Sequence, residues 1–284
     1  MFNYADDNTI SAFSNSIPHL QLLLEAETKK ALKWLGDNKM IANPEKFHCI
    51  ILTKDKALNS DIEIKIGDKR IKSEKSVRLL GVTIDNQLNF DKHISEVCKK
   101  SSTQLNALYR FTYLLSSEAK RVLLDSFIFS NFNYCPLVWH FSSSKSINKV
   151  ESIQKRALRF LQPNPRRTYN ELLAETKRFS MMVNRLKVLC IEIFKTIKDL
   201  NPPYMRDIFQ VQDRKRQPRF KHANNLQIPW RQSETFSTKS VSFLGPRIWN
   251  NLCPVMKTCK SISLFKSLIK KMGWHTLQMQ TLCS

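Results

Sequence analysis

Between Ile17 and Leu35, apolar residues recur at Leu20, Leu24, Ala31, Trp34 and Leu35, the spacing of one stripe along a helix. Ser16 is placed to cap its start, Pro18 falls in the first turn and Gly36 stands where the helix should end. Three strand-like runs come next, over Phe47–Thr53, Ile62–Ile66 and Val77–Ile84. The middle run alternates as Ile62, Glu63, Ile64, Lys65, Ile66, and Gly67-Asp68 then offers a tight turn into Lys69–Lys72. After Asp91 the period becomes helical: Ile94, Val97, Ser101, Leu105 and Leu108 share one face. A second helix is predicted over 117–129. A third, over 146–161, turns Ile147, Val150, Ala157, Leu158 and Leu161 inward, and Pro163 and Pro165 close this block. A long helix over 181–200 ends at Asn201-Pro202-Pro203. Arg214–His222 reads as an exposed basic loop, through Arg214, Lys215, Arg216, Arg219 and Lys221. The tail holds Phe243-Leu244-Gly245-Pro246, Trp249 and an amphipathic helix over 261–272. No internal repeat is present. The predicted class is α+β, mostly helical.

Composition narrows the function. The 284 residues are long enough for two domains, and 42% hydrophobic residues supply a core. Lys and Arg number 46 against 24 Asp and Glu, a formal +22, which argues against an ordinary small-molecule enzyme. The excess favours a polyanionic partner, nucleic acid first and an anionic membrane surface second, with general surface basicity as the bland reading. No basic segment followed by an apolar stretch opens the chain, so secretion is not expected. The best membrane-spanning candidate, Leu123–Phe141, is interrupted by Asp125, Ser126, Ser130, Asn131 and Asn133, so no membrane is expected as partner. Seven cysteines, an odd number without a Cys-x-x-Cys pair or a Cys/His box, support neither zinc nor a disulfide framework. Free thiols fit the nucleus or cytoplasm.

The segment with most chemical content is Phe2-Asn3-Tyr4-Ala5-Asp6-Asp7-Asn8-Thr9. Two adjacent carboxylates at a hairpin tip are placed to share divalent cations. Two Mg²⁺ ions so held can activate a primer 3′-hydroxyl and stabilise departing pyrophosphate. The plain alternative is a polar turn with two solvated acids.

Tyr4-Ala5-Asp6-Asp7 resembles the metal-binding motif of reverse transcriptases, and the downstream segments resemble, in order, those of non-LTR retrotransposons. Asn43-Pro44-Glu45-Lys46-Phe47 is similar to a palm segment carrying a lysine. Leu79-Leu80-Gly81-Val82-Thr83-Ile84-Asp85, with Leu88, Phe90 and His93-Ile94, is similar to the primer grip and its exit to the thumb. Asn133-Tyr134-Cys135-Pro136-Leu137-Val138-Trp139, Gln154-Lys155-Arg156-Ala157-Leu158-Arg159 and Phe243-Leu244-Gly245-Pro246-Arg247-Ile248-Trp249-Asn250 resemble the thumb and C-terminal region of jockey- and CR1-like elements.

The resemblance implies a partial palm over 1–90, a helical thumb over 91–165 and a basic helical region over 166–284. It assigns Asp6 and Asp7 to Mg²⁺ and catalysis, Lys46 to protonating pyrophosphate, and Leu80 and Gly81 to the primer grip. Gly81 as a β-bulge glycine is the compatible structural reading. A complete enzyme also has an upstream palm aspartate, a glycine-rich template segment and fingers. Only three residues precede Tyr4, so the chain alone is expected to be inactive, needing Mg²⁺ and dNTP only if the rest is supplied.

The expected partners are RNA template and DNA primer, contacted by Lys99, Lys100, Arg110, Lys149, Lys155, Arg156, Arg159, Arg166 and Arg167, with Lys120 and Arg121 on the intervening helix. Aromatics are interleaved with them: Tyr109, Phe111, Tyr113, Trp139, Phe160 and Tyr169. Their helical spacing favours core packing over base stacking. His48 falls within a strand-like run, His93 near a helix start reads as a packing or capping residue, and His140, five residues from Cys135, is too sparsely accompanied for a metal site. Two alternatives stand: a non-enzymatic RNA- or DNA-binding protein reusing the thumb scaffold, and a full enzyme seen in part.

Overall fold

A computed structural model describes residues 2–53, 62–67, 69–162, 166–212, 225–230 and 240–272. The basic run Arg214–His222 and the prolines Pro163 and Pro165 lie outside these. The chain divides into two compact units, Met1–His93 and Ile94–Ser284.

Among its described residues, the first unit combines one long helix with three separate antiparallel hairpins. Strands β1 (Phe2–Tyr4) and β2 (Asp7–Thr9) pair with Tyr4 opposite Asp7, leaving Ala5-Asp6 as the turn. Helix α1 (Ile17–Asp37) starts after Ser16, whose side chain makes no cap bond. It runs through Gly36, where the sequence places its end. The stop comes from Lys39 in the left-handed region (φ 57°), with Met40 N–H on Leu35 C=O at 2.8 Å and Lys39 N–H on Gly36 C=O at 2.9 Å. Strands β3 (Glu63–Ile66) and β4 (Lys69–Lys72) form the alternating hairpin, burying Ile62 and Ile64. α1 lies on β3, where Gln21 Nε2 donates to Glu63 C=O at 2.9 Å and Glu25 Oε1 accepts from Lys65 N–H at 2.8 Å.

Two of the strand-like runs differ from expectation. Phe47–Thr53 forms no strand; it contributes one bridge, Cys49 to Ser73, and comes after a single 3₁₀ turn over Pro44–Lys46. Val77–Ile84 is not one strand. It breaks at Leu80-Gly81 into β5 (Ser76–Leu79) and β6 (Val82–Asp85), with φ of 46° and 81° at the two turn residues. Positive φ at both central positions is the two-residue hairpin turn whose twist matches its strands.

The second unit is helical. Helix α2 (Asp91–Arg110) buries Ile94, Ser101 and Leu105 of the face read from sequence, with Val97 and Leu108 half-buried, and adds Cys98 to it. Helix α3 (Ser117–Leu123) continues as a π-helical stretch, Leu124–Phe129, into α4 (Ser130–Asn133), four residues further than predicted. Two of the polar residues that argue against a membrane span have partners elsewhere in the unit. Asp125 takes both guanidinium nitrogens of Arg178 at 2.7 and 2.9 Å, and Asn131 Nδ2 donates to Ser101 Oγ and Gln104 Oε1. No helix among the described residues is long and apolar enough to cross a membrane.

Helix α5 (Ser144–Leu161) packs on α6 (Tyr169–Thr176) and α7 (Met181–Ile197). Residues 94–284, which take in most of the segment 91–165 and all of 166–284, form one compact unit. After the single turn α8 (Met205–Ile208), helices α9 (Val241–Asn250), α10 (Pro254–Lys257) and α11 (Ile262–Lys271) surround α7. Phe194 stacks on Phe265 with centroids 4.4 Å apart, and Trp249 lies 5.9 Å from Phe265. The Phe243–Asn250 motif is thus a packing element. Gly245 lets α9 approach closely, since a Cβ there would stand 2.6 Å from Phe209 Cε1. Asn250 exchanges two hydrogen bonds with the backbone of Leu226, as a strand partner would.

Candidate nucleic-acid interface

In the first unit the carboxylates of Asp6 and Asp7 are exposed, on the turn and first β2 position of a hairpin whose Phe2–Tyr4 strand is exposed throughout. Ala5 takes φ 52° to make that turn. Among the described residues, no group of three or more His, Cys, Asp or Glu side chains is arranged to hold a metal ion. Two solvated carboxylates by themselves are a poor fit to the Mg²⁺ pair expected, because octahedral Mg²⁺ is held by carboxylates acting together with substrate phosphates. No metal-dependent step is derived from them. Lys46 is exposed on its 3₁₀ turn, and no hydrogen bond or ion pair joins it to either carboxylate; its neighbour Glu45 pairs with Lys69.

Leu80 and Gly81 form the tip of the β5–β6 hairpin, so Gly81 serves a turn rather than a bulge. The end of the same motif has a structural duty. Asp85 accepts the backbone N–H groups of Gln87 and Asn89 at 3.1 Å and of Phe90 at 2.6 Å. It thereby shapes the loop in which Leu88 and Phe90 adopt positive φ. His93 is buried and accepts from Thr83 N–H at 3.3 Å, whereas His48 is exposed on Glu74.

The second unit brings several of the expected cationic residues onto one seam. On α2, Ser95, Lys99, Ser102, Asn106 and Arg110 succeed each other at three- or four-residue spacing and so share a face. α5 runs beside this face in the same direction. Lys149 Nζ donates to Ser95 Oγ at 3.2 Å, and Arg156 reaches Ser102 Oγ and Asn106 Oδ1, both at 2.8 Å. The seam from Ser95 to Arg110 is roughly 22 Å long at the helical rise per residue. Hydroxyl and amide oxygens satisfy these donors without cancelling their charge, so a row of positive potential remains. Of the acids on the two helices, Glu96 is exposed beside Ser95, while the carboxylate of Glu151 accepts the N–H groups of Met181 and Met182 and the Tyr169 hydroxyl, capping α7.

At the far end of the seam, Tyr109 donates to the Arg156 carbonyl at 3.0 Å and meets the Phe160 ring edge-on at 5.1 Å. Lys120 of α3 sits over that same ring, 5.6 Å from its centroid. Burial pushes the Tyr109 phenol up against the opposing pull of Arg156 and Arg159, which keeps it a hydrogen-bond donor. Arg159 has its Nε buried without a hydrogen-bond partner.

The other nominated cations stand apart. Lys100 is exposed on a different row of α2, Lys155 is half-buried on α5, Arg166 is exposed, and Arg167 pairs with Glu175. The aromatics divide. Trp139 and Phe160 are buried and Tyr169 is half-buried, but Tyr109, Phe111 and Tyr113 are exposed, the last by 82%. The expectation of core packing fails for Phe111 and Tyr113, which fall off the progression Ile94, Cys98, Ser101, Leu105 that buries α2. That mismatch of period was the available signal. Sequence spacing also gave no hint of Lys120 over Phe160, nor of the buried Arg185 lying over Trp139 and donating to His140.

An α+β, mostly helical chain with a cationic seam of neutral-partnered Lys and Arg is the class of protein these features define. Over 145 residues it is 23% identical to the retrovirus-related Pol polyprotein from type-1 retrotransposable element R1 2 of Nasonia vitripennis, covering 48% of this chain and 35% of that polyprotein. The chain thus matches about a third of that relative's length, and the similarity supports a retrotransposon-related origin. No protein-family model matches the chain, and no solved structure matches it.

Proposed function

We propose that this chain is the part of a non-LTR retrotransposon reverse transcriptase running from the Tyr-x-Asp-Asp hairpin through the thumb, and that it holds the primer–template duplex. The observation that carries the reading is the α2–α5 seam. There Lys99 and Arg110 on α2 line up with Lys149 and Arg156 of α5, and the latter two are held by neutral side-chain oxygens. Such a row meets successive phosphates of one backbone strand and gives little sequence readout. Similarity to a Pol polyprotein supports the same class of partner. Template RNA and primer DNA are the ligands; a nucleoside triphosphate joins them only where further metal ligands complement Asp6 and Asp7.

Fluorescence anisotropy with a labelled RNA–DNA duplex tests the reading. Affinity should fall steeply as salt rises, with log K against log salt losing about 0.9 in slope for each phosphate contact removed. The triple substitution Lys99→Gln, Arg110→Gln, Lys149→Gln should weaken all duplex sequences alike and flatten that slope. Arg156 is left intact in this test because it also joins the two helices. Binding indifferent to salt would refute the reading.

For the carboxylate pair, the expected result is no Mg²⁺-dependent primer extension by the chain alone. Extension that Asp6→Asn abolishes would instead assign catalysis to the hairpin as it stands.

A further inference from the structure

The α2–α3 connection carries aromatic side chains that the duplex-binding seam does not use. Phe111 is 54% and Tyr113 82% exposed, with Leu114 exposed beside them. Their exposure is not that of a loose loop. Phe111 N–H bonds to Leu108 C=O at 3.1 Å, Leu114 N–H to Phe111 C=O at 3.0 Å, and the Thr112 hydroxyl to Tyr109 C=O at 2.9 Å. A 3₁₀ turn spans Thr112–Leu114, and Ser116 Oγ then caps α3 by accepting Ala119 N–H at 3.2 Å. The backbone therefore holds two rings outward at little further entropic cost to whatever they meet.

Charge decides what that is. From Tyr109 to Val122 the chain has three cations, Arg110, Lys120 and Arg121, against one acid, Glu118. Arg156 and Arg159 add to them, both acting on the Tyr109 phenol. Rings fixed among cations suit a ligand with flat π-faces and a polyanionic backbone. Inside a duplex each base face is covered by its neighbours. Only unpaired nucleotides offer faces to stack on Phe111 and Tyr113 while their phosphates meet Arg110, Lys120 and Arg121.

We infer that the α2–α3 turn is a stacking platform for single-stranded nucleic acid, adjoining the phosphate-binding seam and receiving the unpaired strand that extends from the duplex. The inference rests on the proposed nucleic-acid role of the seam and adds a second, chemically different subsite to it.

The test uses the full chain and three labelled probes: a short single-stranded RNA, a blunt RNA–DNA duplex, and that duplex with a single-stranded extension. Replacing both rings, Phe111→Ala with Tyr113→Ala, should weaken the single strand and the extended duplex about tenfold or more, while the blunt duplex binds as before. Substitution by Trp at both positions should restore affinity, and by Leu should not, because Leu keeps apolar area without a π-face. Both side chains are exposed, so thermal melting should be unchanged. Equal loss on all three probes, or Leu restoring affinity, would overturn the inference. So would unchanged affinity on every probe, including the case where the double variant loses self-association in sedimentation instead, which would mark the rings as a protein interface. A chain that binds none of the probes fails the duplex-binding reading itself, a distinguishable result.

Discussion

Between pH 6.5 and about pH 4, the folded protein is expected to lose about 3 kcal/mol of stability through His140. The imidazole is 7% exposed, and burial, with the Arg185 guanidinium beside it, lowers its pKa from 6.5 to about 4. Arg185 Nε donates to Nδ1 at 3.3 Å, which requires the neutral ring to accept there. Phe141 meets the same ring edge-on at 4.8 Å, and Arg185 is itself stacked over Trp139. Proton counting sets the sign. Above pH 6.5 both states hold a neutral ring. Between the two pKa values the unfolded chain binds a proton that the native state does not, so stability falls as pH drops. Each pH unit across that window is worth about 1.36 kcal/mol. The check is urea denaturation across this window for the wild type and His140→Gln, whose amide oxygen can still accept from Arg185. Carboxylates titrate equally in both proteins, so the gap between the two stability curves isolates His140. It should narrow steadily in the mutant's favour as pH falls; parallel curves would refute the assignment.

Much of the fold was legible because period and burial coincide. α2, α5, α7 and α11 bury residues of their apolar stripes, and the β3–β4 hairpin tracks the alternation Ile62–Ile66; α1 keeps the span of its stripe but buries none of it, Trp34 being 58% exposed. The misses have separate physical causes. Val77–Ile84 reads as one strand because Leu80 conceals a positive φ that only its partner Gly81 announces. Gly36 marks an end one turn residue too soon, since the stop was supplied by Lys39, a residue that enters the left-handed region at a steric cost. Phe47–Thr53 has strand composition but only one bridge, at Cys49.

The candidate interface was legible in residue type and not in arrangement. Basic residues on α2 and α5 are plain in the sequence. That the two helices run in the same direction, so that Lys149 meets Ser95 while Arg156 meets Ser102 and Asn106, depends on packing between residues far apart in sequence. The serines and the asparagine that leave the charge uncancelled look ordinary in isolation. Glu151 would have been counted against the cations from sequence alone; its commitment to the start of α7 removes it.

Trp249→Ala is expected to destabilise the second unit by about 3–5 kcal/mol. Its indole is fully buried and borders Phe265, which in turn stacks on Phe194 of α7. Removing it opens a cavity where α7, α9 and α11 meet, and the rings on either side lose contacts that no small shift restores. The neighbouring Asn250 would lose its footing as well, and with it the two hydrogen bonds that hold Leu226. Gly245→Ala strains the same interface from the opposite side. Its new methyl would meet Phe209 Cε1 at 2.6 Å and Ile193 Cδ1 at 3.1 Å, an overpacking worth about 1–3 kcal/mol. Trp230→Ala supplies the control, since that indole is 88% exposed and its loss should fall within about 0.5 kcal/mol of zero. Urea midpoints for the three variants should rank Trp249→Ala lowest, then Gly245→Ala, then Trp230→Ala beside the wild type. A Trp249→Ala protein as stable as Trp230→Ala would mean that α9 does not dock on α7, and the core of the second unit would have to be drawn elsewhere.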